Sequence, residues 1–235
     1  MPALKRIGHK GADLIAPGNT LASFDAALAA GVDMVEFDVL PEHPDGTGRL
    51  VLAHDFGAVA HGSLLTLEEG LAHFAQDAWM DVELDVDLKT VGYERRVIEA
   101  LRSFALADRA LISTMEEHSL AVVRDEAPEI RLGWSVPKLR RNYLGNPVTR
   151  LPALAVAQYV RRVLPGRVAQ AIREGRIDAV MSHWALVTPR LARAVEDAGG
   201  DLYVWTVDDR RRIAALDALG VTGIITNDPR LFAIA

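Results

Sequence analysis

The chain has 235 residues and contains no cysteine. Disulfide bonds and thiolate metal ligands are therefore excluded, and the composition fits a reducing compartment. The sequence also lacks a run of about 18 apolar residues, the length needed to span a bilayer. Its first residues, MPALKRIGHKGAD, lack the apolar core of a signal peptide. We therefore expect a cytoplasmic protein without stable membrane insertion.

Positive charge is also in short supply. The formal net charge is −6 and no basic stripe is present, which argues against a nucleic-acid partner. Half of the residues are hydrophobic and a quarter are charged, a balance that fits one large globular domain with a well-filled core. No internal repeat or linker divides the chain, so we predict a single domain over residues 1–235. Nothing in the sequence indicates an oligomeric state.

Short apolar strands alternate with amphipathic helical patterns along the chain. The predicted strands cover residues 4–9, 32–40, 80–88, 109–113, 130–134, 177–183, 201–207 and 221–226. Seven of them are followed by a predicted helix and the last by the short DPRLFAIA, which is the element count of a (β/α)8 TIM barrel. A doubly wound open sheet is the alternative, but GHKGAD after the first strand is not a dinucleotide-binding turn.

Two segments interrupt this alternation. Residues 41–53, PEHPDGTGRLVLA, predict a turn and a short strand that returns from the end of the second strand. Residues 135–153 carry three prolines and several basic residues, and we predict a loop there, on the face where barrels build active sites. In the first helical pattern, Asn19 is the expected N-cap and Gly31 the expected stop.

Polar residues recur at the predicted carboxyl ends of the strands, where barrel enzymes place catalytic groups. They are His9, Lys10, Glu36, Asp38, His54, Asp87, Lys89 and Trp205. Glu36 and Asp38 are two residues apart on a strand, so they point to the same face, and burying both requires a cation or several donors. With Asp87 they offer three oxygen ligands, the kind that Mg²⁺ or Ca²⁺ prefers. Asp85 shares this strand face and is an alternative third ligand.

Histidines and lysines at the same strand ends suit reactions of a phosphate ester. His9 and His54 are able to divide general-base and general-acid roles, because imidazole titrates close to neutral pH. Lys10 and Lys89 are able to neutralise a phosphate oxygen. Lys89 is equally explained as the counter-ion of the neighbouring acids.

Several short motifs follow one another in a fixed order: His-Lys-Gly at 9–11, Pro-Gly-Asn-Thr at 17–20, Glu-x-Asp at 36–38 and His-Asp at 54–55. Together with VDLK, VWTV and GVTGIITNDP further on, they make the chain resemble the glycerophosphodiester phosphodiesterase family over nearly its whole length. The resemblance implies a TIM barrel that hydrolyses a glycerophosphodiester, or a related small phosphodiester, to a phosphomonoester such as glycerol 3-phosphate and an alcohol.

The same resemblance implies roles for individual residues. It implies that Glu36, Asp38 and Asp87 hold one divalent cation, Mg²⁺ or Ca²⁺, and that His9 and His54 form the acid–base pair. The chain departs from the family pattern at four positions. Lysine replaces arginine at 10, glycine replaces glutamate at 18, aspartate replaces glutamate at 87, and asparagine replaces aspartate at 227. The insertion that many members carry after His-Asp is almost absent.

Two alternative functions stay open at the level of the sequence. One is a barrel that binds a phosphorylated ligand without catalysis, which the departures from the family pattern suggest. The other is a lipid phosphodiesterase of the sphingomyelinase D-like group, whose members have aspartate at the position of Asp87. For substrate contacts, Trp205 fits either the core or the wall of a cleft, and His183, which ends the sixth predicted strand, lies within possible reach of the site.

Overall fold

The strands and helices are placed in a computed structural model that describes residues 3–60, 64–137 and 147–233. The strands are β1 (Lys5–Gly8), β2 (Met34–Pro41), β3 (Leu50–Val51), β4 (Glu83–Leu88), β5 (Ala110–Thr114), β6 (Arg131–Val136), β7 (Ala179–His183), β8 (Asp201–Trp205) and β9 (Gly223–Thr226). The α-helices are α1 (Leu21–Ala29), α2 (Phe56–Val59), α3 (Leu67–Phe74), α4 (Glu94–Ser103), α5 (Glu117–Glu126), α6 (Pro147–Arg173), α7 (Pro189–Glu196) and α8 (Arg210–Asp217).

Among these described residues, eight parallel strands close into a barrel. Their order is β1-β9-β8-β7-β6-β5-β4-β2, and pairing of β1 with β2 completes the ring. The eight predicted strands agree with the observed ones to within three residues at each end, and the predicted (β/α)8 TIM barrel is confirmed. The short return after β2 is confirmed as well, because β3 pairs antiparallel with the end of β2 through Leu40–Val51 and Pro41–Leu50.

The segment predicted as a loop over 135–153 differs in part. Residues 138–146 lie outside the described residues, and with them Lys138, Arg140, Arg141 and Tyr143. The loop prediction was wrong from Pro147 onward, because α6 begins there. Proline is well tolerated at the first turn of a helix, where its missing N–H has no helical partner.

Short-range sequence signals explain where α1 begins and ends. The Thr20 hydroxyl accepts a hydrogen bond from the Ser23 N–H, and the Ser23 side chain accepts one from the Thr20 N–H, which together form a capping box. The prediction of Asn19 as the N-cap was wrong, because Asn19 adopts a φ of +59° and turns its amide toward Asp38. The predicted stop at Gly31 is confirmed, since its φ of +74° is a left-handed conformation that favours glycine.

The barrel interior is filled in layers beneath the carboxyl ends of the strands. At the amino-terminal end, the Lys5 ammonium lies 2.6 Å from a Glu83 oxygen, and Arg131 pairs with both Glu83 and Asp201. Above these ion pairs lies an apolar layer of Ile7, Met34, Leu111, Ala179, Met181, Tyr203 and Ile225. The polar residues at the carboxyl ends therefore lie above a closed, packed layer of apolar side chains. In the described part of the chain, no helix has the length and apolarity required to cross a bilayer.

Candidate active site

Strand order and side-chain alternation bring the predicted site residues to one rim of the barrel. A side chain two positions beyond an interior residue points to the same face of its strand. The interior positions that follow the apolar layer are His9, Glu36, Asp38, Asp87, His183, Trp205 and Asn227. These side chains therefore surround the mouth at the carboxyl ends of the strands, the end that carries the active site in barrel enzymes.

Glu36, Asp38 and Asp87 form an acidic cluster on adjacent strands. One carboxylate oxygen from each lies within 4.8 Å of the other two, and Asp38 pairs with Asp87 across the β2–β4 ladder. Burial, reinforced by the charge of Asp38, raises the pKa of Glu36 well above its usual range. Burial also raises the pKa of Asp87, although the Lys89 ammonium opposes this. Three converging hard oxygen donors fit a divalent cation of the Mg²⁺ or Ca²⁺ type.

Lys89 provides the nearest positive charge to this cluster. Its Nζ lies 2.5 Å from Asp38 Oδ1 and 2.5 Å from Asp87 Oδ2. Although burial acts in the opposite direction, Lys89 and the hydrogen bond from Asn19 lower the pKa of Asp38 to about 2. Asp38 Oδ1 nevertheless lacks a partner with hydrogen-bond geometry among the described residues, so it faces the ammonium as an ion pair. The counter-ion role predicted for Lys89 is therefore present in the structure.

His9 is held by a chain of polar side chains from β9 and the loop after β8. Its Nδ1 lies 2.5 Å from Asn227 Oδ1, while the Asn227 amide NH₂ donates to Asp208 Oδ2 at 2.7 Å. Because Asp208 accepts from this NH₂, the Asn227 oxygen faces His9, and His9 carries its proton on Nδ1. Burial lowers the pKa of His9, so the imidazole is neutral at pH 7. Its Nε2 lone pair lies 3.8 Å from Glu36 Oε2.

His54 lies in the loop after β3 and interacts electrostatically with the same cluster. Its imidazole is more exposed than that of His9, with 57% of the side chain accessible, and Nδ1 lies 3.3 Å from Asp55 Oδ2. Asp55 in turn caps α2 by accepting the Ala58 N–H. His54 is one of the smaller electrostatic influences that lower the pKa values of Asp38 and Asp87. Both predicted histidines therefore lie on the side of the mouth that carries the acidic cluster.

The Lys10 side chain stands at the edge of the mouth, in a tight turn with a φ of +50°. The Lys10 N–H donates to Glu36 Oε2 at 2.8 Å, and its ammonium lies 3.6 Å from Asp13 Oδ2. Asp13 Oδ1 accepts the Gly18 N–H at 2.8 Å. A Cβ atom on residue 18 would come within 2.6 Å of Asp13 Oδ1, so the glycine makes room for this carboxylate. Asp13 is thus a carboxylate at this edge of the mouth, beside Lys10.

Asp85 pairs with Glu36 across the β2–β4 ladder, two residues before Asp87 on the same strand face. Its two carboxylate oxygens are buried and have no well-formed hydrogen bond among the described residues. Burial raises the pKa of Asp85 to about 8, although the nearby Ser113 hydroxyl lowers it slightly. The described acidic side chains that come together for a metal ion are Glu36, Asp38 and Asp87. The geometry therefore favours Asp87 over Asp85 as the third ligand.

Several contributors to the site were not identified from the sequence. Asn19 donates its amide N–H to Asp38 Oδ2 at 2.9 Å and accepts the Asp38 N–H at 3.1 Å. Asp13 contacts Lys10 and Asn227 contacts His9, while Asp208 accepts from Asn227. Asn227 had a usable signal, because it directly follows the last strand at the carboxyl end of the barrel. Asp13 and Asp208 lie in loops, and no local pattern marks them.

Comparison with known proteins identifies one family. The model of the glycerophosphoryl diester phosphodiesterase family matches residues 9–59 and 59–231. A curated relative named glycerophosphodiester phosphodiesterase, from Caldanaerobacter subterraneus, is 23% identical over 257 residues. That match covers 95% of this chain and 93% of the relative, so the two proteins correspond over nearly their whole lengths.

Solved structures share the same architecture. A glycerophosphodiester phosphodiesterase from Agrobacterium tumefaciens superimposes with a TM-score of 0.69 at 19% identity, covering 98% of this chain and 97% of that one. A phosphodiesterase from Oleispira antarctica, in complex with the product sn-glycerol-3-phosphate, gives a TM-score of 0.68 at 19% identity, covering 97% and 94%. At these identities the structural likeness establishes the fold.

Proposed function

The chain belongs to the glycerophosphoryl diester phosphodiesterase family, a family of phosphoric diester hydrolases, and we propose that it cleaves glycerophosphodiesters or related small phosphodiesters with one divalent cation. The products would be a phosphomonoester, such as glycerol 3-phosphate, and an alcohol. One observation carries the proposal: the acidic cluster of Glu36, Asp38 and Asp87 lies directly beside the Nε2 lone pair of a neutral histidine.

Glu36, Asp38 and Asp87 would hold the cation. When bound, it would supply positive charge for the phosphoryl oxygens, as Lewis-acid sites do in phosphate-ester hydrolysis. The residues fit this group, because the cluster pairs three carboxylates with the single ammonium group that contacts it among the described residues. Lys89 and Lys10 would add charge toward the phosphate, and Trp205 would line the substrate cleft.

His9 is suited to act as the general base. Asn227 fixes its proton on Nδ1, which leaves Nε2 free to accept a proton from the attacking hydroxyl, either of water or of the substrate itself. The new P–O bond forms as the ester P–O bond on the opposite side breaks. His54, exposed at the mouth, would give its proton to the departing alkoxide. The two histidines thereby exchange one proton each with the reacting oxygens.

The test is hydrolysis of a glycerophosphodiester and of bis(p-nitrophenyl) phosphate, with and without excess chelator. We expect turnover that chelation abolishes and that Mg²⁺ or Ca²⁺ restores. His9→Ala and His54→Ala should each lower kcat by about 10²–10⁴, the usual contribution of a general acid or base. His118→Ala is the matched control, since His118 is exposed on α5 and has no place among the described residues that form the acidic cluster and its partners.

Three outcomes would contradict the proposal. Full turnover in excess chelator would remove the cation from the mechanism. A near-normal kcat in either active-site histidine variant would make that histidine structural. Binding of glycerol 3-phosphate or an intact diester without any turnover, even with cations added, would favour the non-catalytic barrel.

A further inference from the structure

The wall of the mouth that faces the acidic cluster is formed by β7 and β8. In the closed barrel, β7 is separated from β2 by β1, β9 and β8 on one side and by β4, β5 and β6 on the other. Strand β7 is therefore diametrically opposite the strand that carries Glu36 and Asp38. An eight-stranded barrel is just wide enough for its own side chains, so a small diester with its phosphate at the cluster would extend to this wall.

His183 ends β7 and belongs to the interior face at the mouth. Ala179 and Met181 of the same strand lie in the apolar layer of the interior, and His183 follows Met181 by two positions. Its neighbour on β8 is Trp205, which is paired with it in the sheet register and packs against the same apolar layer. The two rings meet edge to face, with centroids 5.2 Å apart.

The hydrogen bond at Nδ1 determines which nitrogen of His183 carries the proton and is able to donate to a ligand. Its Nδ1 accepts the N–H of Ala185 at 3.3 Å, so the neutral ring carries its proton on Nε2. Burial, with the charge of Arg212 as the second cause, lowers the pKa of His183, which keeps the ring neutral at pH 7. Within the described residues, Nε2 has no hydrogen-bond partner. His183 thus presents a neutral donor at the opposite wall.

Arg212 adds a positive charge to this wall. Its guanidinium lies 3.8 Å from the centroid of the Trp184 ring, on the kind of aromatic face that a quaternary ammonium group would otherwise use. The His183 and Trp184 rings are 5.2 Å apart, so the positive charge lies next to the neutral donor. A cationic substituent would meet the like charge of Arg212 beside this donor, whereas an uncharged polyol offers oxygens that accept from Nε2–H.

We propose that His183 is a specificity-determining residue that donates from Nε2 to a hydroxyl oxygen of an uncharged polyol substituent, such as glycerol or inositol, and that this wall discriminates against choline and ethanolamine. The inference rests on the proposed diester hydrolysis. Trp205 contributes an apolar surface beside the donor. Its own N–H donates to the Met181 carbonyl at 2.8 Å, so it does not compete with His183 for the substrate hydroxyl.

The experiment compares kcat/KM for glycerophosphoglycerol, glycerophosphoinositol, glycerophosphocholine and glycerophosphoethanolamine. We expect the polyol diesters to be preferred at least about tenfold, the effect of one lost hydrogen bond to a substrate hydroxyl, or roughly 1.4 kcal/mol. His183→Phe should abolish this preference, mainly by raising KM for the polyol diesters about tenfold. His183→Gln, which retains an N–H donor, should restore most of it. Arg212→Gln should lower KM for the choline diester about threefold, since an exposed charge acts through solvent.

Controls separate this inference from the proposed function. His118→Phe removes an exposed histidine on α5 and should leave the ranking of substrates unchanged. Turnover of bis(p-nitrophenyl) phosphate by the wild type reports on diester hydrolysis itself, without any polyol. If no diester is cleaved, the proposed function fails, and calorimetric affinities for the intact diesters then provide the same comparison. Equal or inverted preference for the choline diester, or a preference that survives in His183→Phe, would overturn the inference.

Discussion

Replacing Lys89 with methionine removes the positive charge that lies between two carboxylates of the site. The Lys89 Nζ contacts Asp38 and Asp87 at 2.5 Å each, and 20% of the lysine side chain is exposed whereas Asp38 is fully buried. Methionine keeps the unbranched apolar stem of the side chain but has no charge. The substitution therefore leaves the packing nearly intact. Its effect on the free energy of unfolding reports the electrostatic repulsion among the three neighbouring acids.

The expected loss of stability follows from the burial of these groups. Breaking a buried ion pair by removing one partner costs about 3–5 kcal/mol. Because burial already raises the pKa values of Glu36 and Asp87, the cluster can take up a proton instead, which favours the lower end of that range. In excess chelator we therefore expect Lys89→Met to unfold with a free energy about 3 kcal/mol below that of the wild type. In a chain of this length the loss corresponds to roughly 6–12 °C in Tm.

A divalent cation should reverse most of this loss. A ligand that binds the folded state at 100 times its Kd adds about 2.7 kcal/mol of stability. The wild type should gain less from the same cation, because Lys89 must first leave the two carboxylates. Isothermal titration calorimetry should accordingly give a lower Kd for Mg²⁺ or Ca²⁺ in Lys89→Met than in the wild type.

The assay is urea unfolding, followed by circular dichroism, in chelator and in a saturating divalent cation. Lys5→Met is the matched control, since Lys5 also pairs with a glutamate at 2.6 Å and has a similar exposure of 22%, but at the opposite end of the barrel. Its loss of stability should be the same with and without the cation. If Lys89→Met behaved like this control, or were as stable as the wild type in chelator, the reasoning about the acidic cluster would be refuted.

Two further predictions concern the surroundings of the cluster. Burial raises the pKa of Asp85 to about 8, so between about pH 4 and pH 8 the folded chain retains a proton that the unfolded chain releases, and stability falls as pH rises through this window. Asp85→Asn should flatten that decline when urea unfolding is measured in chelator across the window, and an unchanged slope would contradict the assignment. Gly18→Ala should destabilise the fold by about 1–3 kcal/mol, because its Cβ would lie 2.6 Å from Asp13 Oδ1. An Asp13→Ala background should relieve part of this loss in thermal unfolding, since the approach to Lys10 Cβ at 2.8 Å remains, and equal losses in both backgrounds would show that Asp13 does not contribute to the clash.

Local pattern was sufficient to predict the strands and the rim of the barrel. The strands are short, apolar and separated by helical patterns, so their number and order follow from periodicity. Once a barrel is inferred, any polar residue at the end of a strand is assigned to the same face. Glu36, Asp38 and Asp87 were predicted in this way, and the structure brings their oxygens together.

Contacts that depend on closure of the barrel could not be predicted from the local sequence pattern. His9 and Asn227 are 218 positions apart, and they meet because β1 pairs with β9. The choice between Asn19 and Thr20 as the N-cap failed for a different reason. Both residue types cap helices well, and the decision was made by the buried Asp38, which takes the Asn19 amide as a hydrogen-bond partner. A tertiary hydrogen bond thus decided between two residues whose local preferences for the N-cap position are nearly equal.

We propose different tasks for the two sets of polar residues, which occupy opposite strands. Neighbouring strands β1, β2 and β4 carry the carboxylates and His9, where proximity raises the electrostatic repulsion that a cation would relieve. Strands β7 and β8 carry the His183 and Trp205 rings, which meet edge to face, and the charge of Arg212 lies beside them. A substitution on the first set should therefore change metal affinity and kcat, whereas one on the second should change KM and the ranking of substrates. This separation makes the two proposals independently testable, since His183→Phe and Glu36→Gln should affect different constants of the same reaction.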